Sequence, residues 1–319
     1  MYEAPEQDWW QGRVDPEDGE TARRWHQVIS LDPPAGPGVV LLGLASDRGV
    51  QINRGRPGAV AGPVALRSAL AGLAWHHDIP LTDAGNIRVS DDLPTGQDAY
   101  AERLHNLLEQ RQFVIGLGGG HEIGWASYLG CRRYLDVITP GKTLGIVNFD
   151  AHFDLRTPAP AASSGTSFYQ VAQHCEEQGH PFRYACLGIA RSANTRALFE
   201  RADSLGVEYL MDIDFNMASA QDLLQRFLAQ VDSLYVTCCL DAFPASAAPG
   251  VSAPAALGIS PAEVLRVIET LGEQCRASGV NWLMADIAEL SPVHDLDKRT
   301  ARLAARVVDE LLAAFSREP

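Results

Sequence analysis

The sequence predicts an α/β fold, a doubly wound domain built around a mainly parallel sheet. Three observations carry that reading. Short apolar runs alternate with longer stretches of helical periodicity. The runs are near-continuous rather than alternating polar and apolar, so both of their faces are expected to be buried. Acidic residues, histidine and cysteine fall just after several of the runs, where sheets of this kind place their ligands.

Residues 1–36 are rich in charge and proline and read as an irregular N-terminal extension, with Trp9 and Trp10 as possible anchors to the body. A single domain over 37–319 follows. Its strands are expected at Val39–Ala45, 113–117, 143–149, 184–189, 233–240 and 282–287. Its helices are expected at 62–74, 96–111, 122–136, 166–178, 194–205, 218–230, 260–277 and 297–315. The helix at 260 has a strong start signal, with Ser260 as N-cap, Pro261 first and Glu263 third. The last helix carries apolar residues at three- and four-residue spacing. The Ala/Pro/Ser-rich stretch 157–165 is too short for a linker and reads as a loop.

Composition narrows the function. The chain has 319 residues with 40 acidic and 26 basic, a net charge of −14. No Lys/Arg cluster offers the basic face that nucleic acid or an anionic membrane requires, so neither is an expected partner. No run approaches the roughly 18 apolar residues of a membrane helix. The N-terminus lacks the basic and apolar regions of a secretory signal, and the expected compartment is the cytoplasm. The six cysteines, Cys131, Cys175, Cys186, Cys238, Cys239 and Cys275, are too sparse for a disulfide scaffold and form no C-x-x-C pair.

Four segments carry chemistry. In NFDAHFDLR, Asp150, His152 and Asp154 alternate with Ala151 and Phe153, so three potential ligands share one face at a strand end. Only a cation offsets carboxylates held that closely, and the alternative is a hydrated turn. In VIGLGGGHE, three glycines allow a tight turn before His121. No Lys-Ser/Thr follows, so this is not a phosphate-binding loop, and His121 is either a ligand or a structural histidine. In YVTCCLDAFP, Cys239 and Asp241 share a face; the alternatives are a buried thiol and a loop cap. In DIAELSP, Glu289 follows another apolar strand, either holding a cationic nitrogen group or lying at the surface.

Together these segments resemble the ureohydrolases, the family of arginase and agmatinase. Its manganese motifs are Gly-Gly-x-His, Asp-Ala-His-x-Asp and Asp-x-Asp. Residues 118–121 match the first, 150–154 the second and 239–241, imperfectly, the third. The finer resemblance is to the formimidoylglutamase branch, through LLGLASDRGVQINRGRPGAVAGPVALR (41–67), GGGHEIGWASYLG (118–130), SSGTSFYQ (163–170), GIARSANTRALFERA (188–202), APGVSAPAALG (248–258) and DIAELSPVHDLDKRTARLAAR (286–306).

The resemblance implies a three-layer α/β/α sandwich and hydrolysis of N-formimidoyl-L-glutamate to L-glutamate and formamide in histidine degradation. It implies two Mn²⁺ ions per subunit, His121 and Asp154 binding one, His152 and Asp241 the other, and Asp150 bridging. It makes Asp154 the group that passes a proton to the departing nitrogen, and Glu289 the residue that holds the nitrogen-bearing end. Cys239 stands where the family usually has a bridging Asp. A thiolate there favours softer ions than Mn²⁺ and exposes the site to oxidation. For the substrate's two carboxylates, Arg156, Arg191 and Arg54 or Arg56 are candidates, with Ser164 and Thr166 for the amino-acid end. A homo-oligomer is also implied. Two alternatives stay open. One is a ureohydrolase for a guanidine such as agmatine or guanidinobutyrate, though Arg156 would repel agmatine's cationic tail. The other is a non-catalytic member disabled by Cys239.

Overall fold

The six predicted strands are all present in the computed structural model, which describes residues 1–316, and three others complete the sheet. In chain order they are β1 (Tyr2–Glu3), β2 (Val39–Ala45), β3 (Leu81–Arg88), β4 (Phe113–Gly118), β5 (Leu144–Phe149), β6 (Arg183–Ile189), β7 (Glu208–Met211), β8 (Ser233–Cys239) and β9 (Asn281–Ala288). The sheet runs β1-β3-β2-β4-β9-β8-β5-β6-β7. Every pairing is parallel except β1 with β3. The last strand in sequence, β9, therefore lies near the middle, between β4 and β8.

Ten helices accompany the strands among the described residues: α1 (Trp25–Val28), α2 (Arg48–Ile52), α3 (Gly62–Leu70), α4 (Leu93–Glu109), α5 (Ile123–Ile138), α6 (Ser167–Gln178), α7 (Arg196–Ser204), α8 (Met217–Leu228), α9 (Pro261–Ser278) and α10 (Arg299–Ser316). Two apolar cores separate them into layers. Side chains of α3, α8, α9 and α10 pack one face of the sheet, and those of α4, α5, α6 and α7 pack the other. Val39–Ala45 is buried at every position, as its unbroken apolar run requires. The start of α9 has Pro261 at the first position as expected, but the Ser260 side chain makes no capping hydrogen bond.

The segment 1–36 is short on regular structure, but it is bound to the body. Residues 2 and 3 add an antiparallel edge strand, and Trp10 and Trp25 are buried in the core. The lock is a charge pair inside the protein. Arg67 and Asp83 are both fully buried, and the guanidinium meets both carboxylate oxygens at 2.7 Å. Its remaining hydrogens go to Asn86 Oδ1 at 2.8 Å and to the carbonyls of Gly85 and Pro63. Trp10 Nε1 donates to Asp83 Oδ2 at 2.9 Å, and Arg67 lies over the ring of Trp9. This polar set is why β3 escapes a hydrophobicity-based reading: Asp83 and Asn86 are buried strand residues paid for by Arg67.

Candidate metal centre

Four central strands deliver the chemistry at their carboxyl ends. After β4 the chain turns through Gly119 and Gly120 to His121. A side chain at Gly119 would sit 1.7 Å from the Ser46 carbonyl oxygen, so only glycine lets the two loops approach this closely. After β5, Ala151 and Phe153 turn into the core while Asp150, His152 and Asp154 converge. Asp154 has φ +49°, a left-handed conformation unusual for a residue with a side chain. Cys239 ends β8, and Asp241 follows in a single 3-10 turn. Glu289 follows β9 with φ +72°; its N–H donates to Gly119 O at 2.7 Å, and its Oε1 accepts from His121 N at 2.9 Å.

The donor atoms of His121, Asp150 and Cys239 all lie within 4.8 Å of one another, and so do those of Asp150, His152 and Asp241. Asp150 belongs to both groups. His121 Nδ1 is 2.9 Å from Asp150 Oδ2 and 3.0 Å from Asp154 Oδ2. His152 Nδ1 is 3.2 Å from Asp241 Oδ2 and 3.5 Å from Asp150 Oδ1. Cys239 Sγ donates to Asp241 Oδ1 at 2.9 Å. His121 Nδ1 is buried between the Asp150 and Asp154 carboxylates and is well aligned with neither. An imidazole nitrogen set among carboxylate oxygens suits a divalent cation that takes the place of its proton; the oxygen and imidazole donors suit Mn²⁺, and the Cys239 thiol in the first group is the softer exception.

Electrostatics agree with ligands awaiting a charge. Burial pushes His121 down, but Asp150 and Asp154 overcome it and hold the imidazole well above its ordinary pKa. Burial likewise opposes His152, and Asp241 and Asp150 raise it. Asp150 is drawn low by the two histidines against the effect of burial. Burial and the Asp150 charge raise Asp154 to about 6. Burial, with Asp241 and Glu122, raises Glu289 to about 8. Cations must displace the protons held on Asp154 and the histidines. The apparent affinity of the metal-free chain for Mn²⁺ should therefore rise with pH from 6 to 8, by about tenfold per unit for each proton displaced. Calorimetric titration at pH 6, 7 and 8 checks this; a flat profile contradicts it.

The centre floors a cleft of about 320 Å³. Arg54, Arg56, Arg156 and Ser164 reach its wall, with Asn53, Asn194 and Ser252, which sequence reasoning did not single out. Asn194 holds the ligand loop through Phe153 N at 3.1 Å and Ala151 O at 2.8 Å. It lies inside a quoted motif, but an asparagine in a loop carries no periodicity to single it out. Arg56 is occupied by the carbonyls of Val251 and Ser252. The guanidinium groups of Arg54 and Arg156 have no hydrogen-bond or ion-pair partner among the described residues. Two expected residues lie elsewhere. Arg191 is exposed beside an adjoining depression with Asp212 and Asp214. Thr166 does not line the cleft: its buried hydroxyl accepts from Ser163 N at 2.9 Å and closes the turn into α6. Ser164 does face the cleft, 3.3 Å from Asn53 Nδ2.

With this geometry in place, the relatives are informative. The chain is 47% identical over 308 residues to the formimidoylglutamase of Hahella chejuensis, covering 95% of this chain and 93% of that protein. It is 48% identical over 311 residues to the formimidoylglutamase of Aeromonas hydrophila, covering 95% and 96%. The fold is shared with a Trypanosoma cruzi formiminoglutamase solved with Mn²⁺, at TM-score 0.77 and 24% identity, over 89% of this chain and 95% of that one. It is also shared with a Bacillus subtilis formimidoylglutamase, at TM-score 0.79 and 20% identity, over 96% and 95%. The model of the arginase family matches residues 37–314, and on this match and those identities the chain belongs to the arginase family.

Proposed function

We propose that this protein hydrolyses N-formimidoyl-L-glutamate to L-glutamate and formamide, a reaction of histidine degradation in the cytoplasm, with two Mn²⁺ ions per subunit. The observation that carries the reading is two donor groups sharing Asp150 beneath a wall bearing two unpaired arginines. His121 and Asp154 would hold one ion and His152 and Asp241 the other, with Asp150 common to both donor groups and Cys239 in the first. Bound there, the cations supply a water made acidic near neutral pH and positive charge against the developing negative charge.

The chain's own residues do the rest. Asp154 accepts the proton lost in the attack on the formimidoyl carbon and returns it to the glutamate nitrogen as the C–N bond breaks. Glu289, fixed by His121 N, faces the amidine N–H groups. Arg54 and Arg156 take the two carboxylates against a global field of −14. The same arginines oppose a guanidine with a cationic tail. All six cysteines are unpaired and buried, in keeping with a reducing compartment.

The test is glutamate release by reduced, Mn²⁺-loaded protein, with agmatine and guanidinobutyrate assayed beside it for urea. Glutamate release abolished by EDTA supports the reading. Urea from either guanidine overturns the substrate, and a chain that binds no metal and turns over nothing makes Cys239 a disabling change. Arg156→Leu should raise KM tenfold or more, since a hydrogen bond to a charged group contributes about 1.5–3 kcal/mol. An unchanged KM removes Arg156 from the site.

A further inference from the structure

We propose that the chain carries a second anion site beside the catalytic cleft: a neighbouring cavity, bounded by Arg54, Arg156 and Arg201, that takes a small divalent inorganic oxyanion and competes with the substrate for two of those arginines. The competition rests on the reaction proposed above; the site itself does not. The cavity holds about 420 Å³. Arg54 and Arg156 line both it and the cleft, so they stand at the join of the two spaces. Arg201 lines only the second. Among the described residues that line this cavity none is acidic, although the chain has 40 acidic residues against 26 basic. Three guanidinium groups with no carboxylate between them repel one another, and an anion removes that repulsion.

The donors are available. The guanidinium groups of Arg54 and Arg156 have no partner among the described residues. Arg201 is already fixed in place: Nη1 donates to Leu155 O, and the guanidinium lies 5.2 Å from the centroid of the Tyr169 ring. Its other N–H groups are left for a ligand. Thr157 and Thr195 also line the cavity, and neither hydroxyl has a hydrogen-bond partner among the described residues; Thr195 precedes α7 without capping it. The planar forks of arginine match the oxygens of an oxyanion. The substrate brings two carboxylates to Arg54 and Arg156, so an anion in the second cavity has to share the same two cations. Each ligand then weakens the binding of the other by the same factor.

The test uses sulfate as the probe and sodium chloride at matched ionic strength as the control, because any salt screens exposed arginines. Binding is read by calorimetric titration of the chain, and competition by glutamate release from the Mn²⁺-loaded protein. Sulfate should bind, and should raise KM beyond the effect of chloride while leaving kcat unchanged. Ala197→Asp places a fixed carboxylate at an exposed position that lines the cavity, in the first turn of α7, where an acidic residue favours the helix. It should weaken sulfate binding about tenfold or more and reduce the effect of sulfate on KM to that of chloride. Arg201→Gln, which removes the one cation of the three that does not line the cleft, should do the same. Sulfate that binds and competes as well in both variants as in the wild type lies in the catalytic cleft and overturns the proposal. A wild-type chain on which sulfate acts no differently from chloride also overturns it. Sulfate binding that both variants lose, in a chain that turns over no substrate, supports the site and overturns the reaction proposed above.

Discussion

An Asp150→Asn chain should lose bound Mn²⁺ and turn over substrate at least about 10³-fold more slowly, beyond the 10–100-fold typical of an outer partner. Asp150 is the residue common to both donor groups. Its Oδ1 accepts from His152 N at 2.8 Å and its Oδ2 from Asn148 Nδ2 at 3.1 Å, so each oxygen is already aimed. An amide keeps the shape but turns one oxygen into a donor pointing at a histidine, and it removes the charge that offsets two cations. Metal analysis and glutamate release read the result, with near-ultraviolet circular dichroism confirming that the variant folds. Two ions per chain in a folded variant, or turnover near the wild-type rate, would falsify the shared-carboxylate centre.

The second large effect is on stability. Arg67→Met leaves the Asp83 charge buried without its partner, and unfolding free energy should fall by about 3–5 kcal/mol. Urea denaturation measures this, and Trp fluorescence reports whether Trp9 and Trp10 leave the body with it. Arg67→Met combined with Asp83→Leu should recover part of the loss, because the uncompensated charge is gone. A single variant within about 0.5 kcal/mol of the wild type, the range of ordinary surface changes, would show that the pair is not the lock.

The layers of the fold and much of the centre are legible in the sequence for one reason. Buried parallel strands read as apolar runs, and the ligand residues stand just beyond their ends, so the same pattern locates both. Asp150, His152 and Asp154 are conspicuous because alternation in extended chain puts them on one face. What escapes is whatever depends on partners distant in sequence. The strand at Leu81–Arg88 looks polar until Arg67 is placed against Asp83. The edge strands Tyr2–Glu3 and Glu208–Met211 are too short to show a period. Arg191 and Arg156 look alike in sequence, both two residues beyond an apolar strand or ligand run. Only the course of the loops separates the one at the cleft from the one beside it. Thr166 and Ser164 differ in the same way, by which hydroxyl the turn consumes.

The place of β9 in the sheet has a consequence for the order in which the molecule is made. As the chain grows from its N-terminus, β1 to β4 can pair as one block carrying His121, and β5 to β8 as another carrying Asp150, His152, Asp154, Cys239 and Asp241. Until residue 281 emerges, β4 and β8 face each other as bare apolar edges with their backbone donors and acceptors unpaired. Long-range parallel pairing is slow to form, and open edges of this kind attract other chains. Insertion of the last strand closes the gap and brings the two sets of ligands together in one event. The nascent chain is thus most prone to aggregate just before it first becomes able to capture metal.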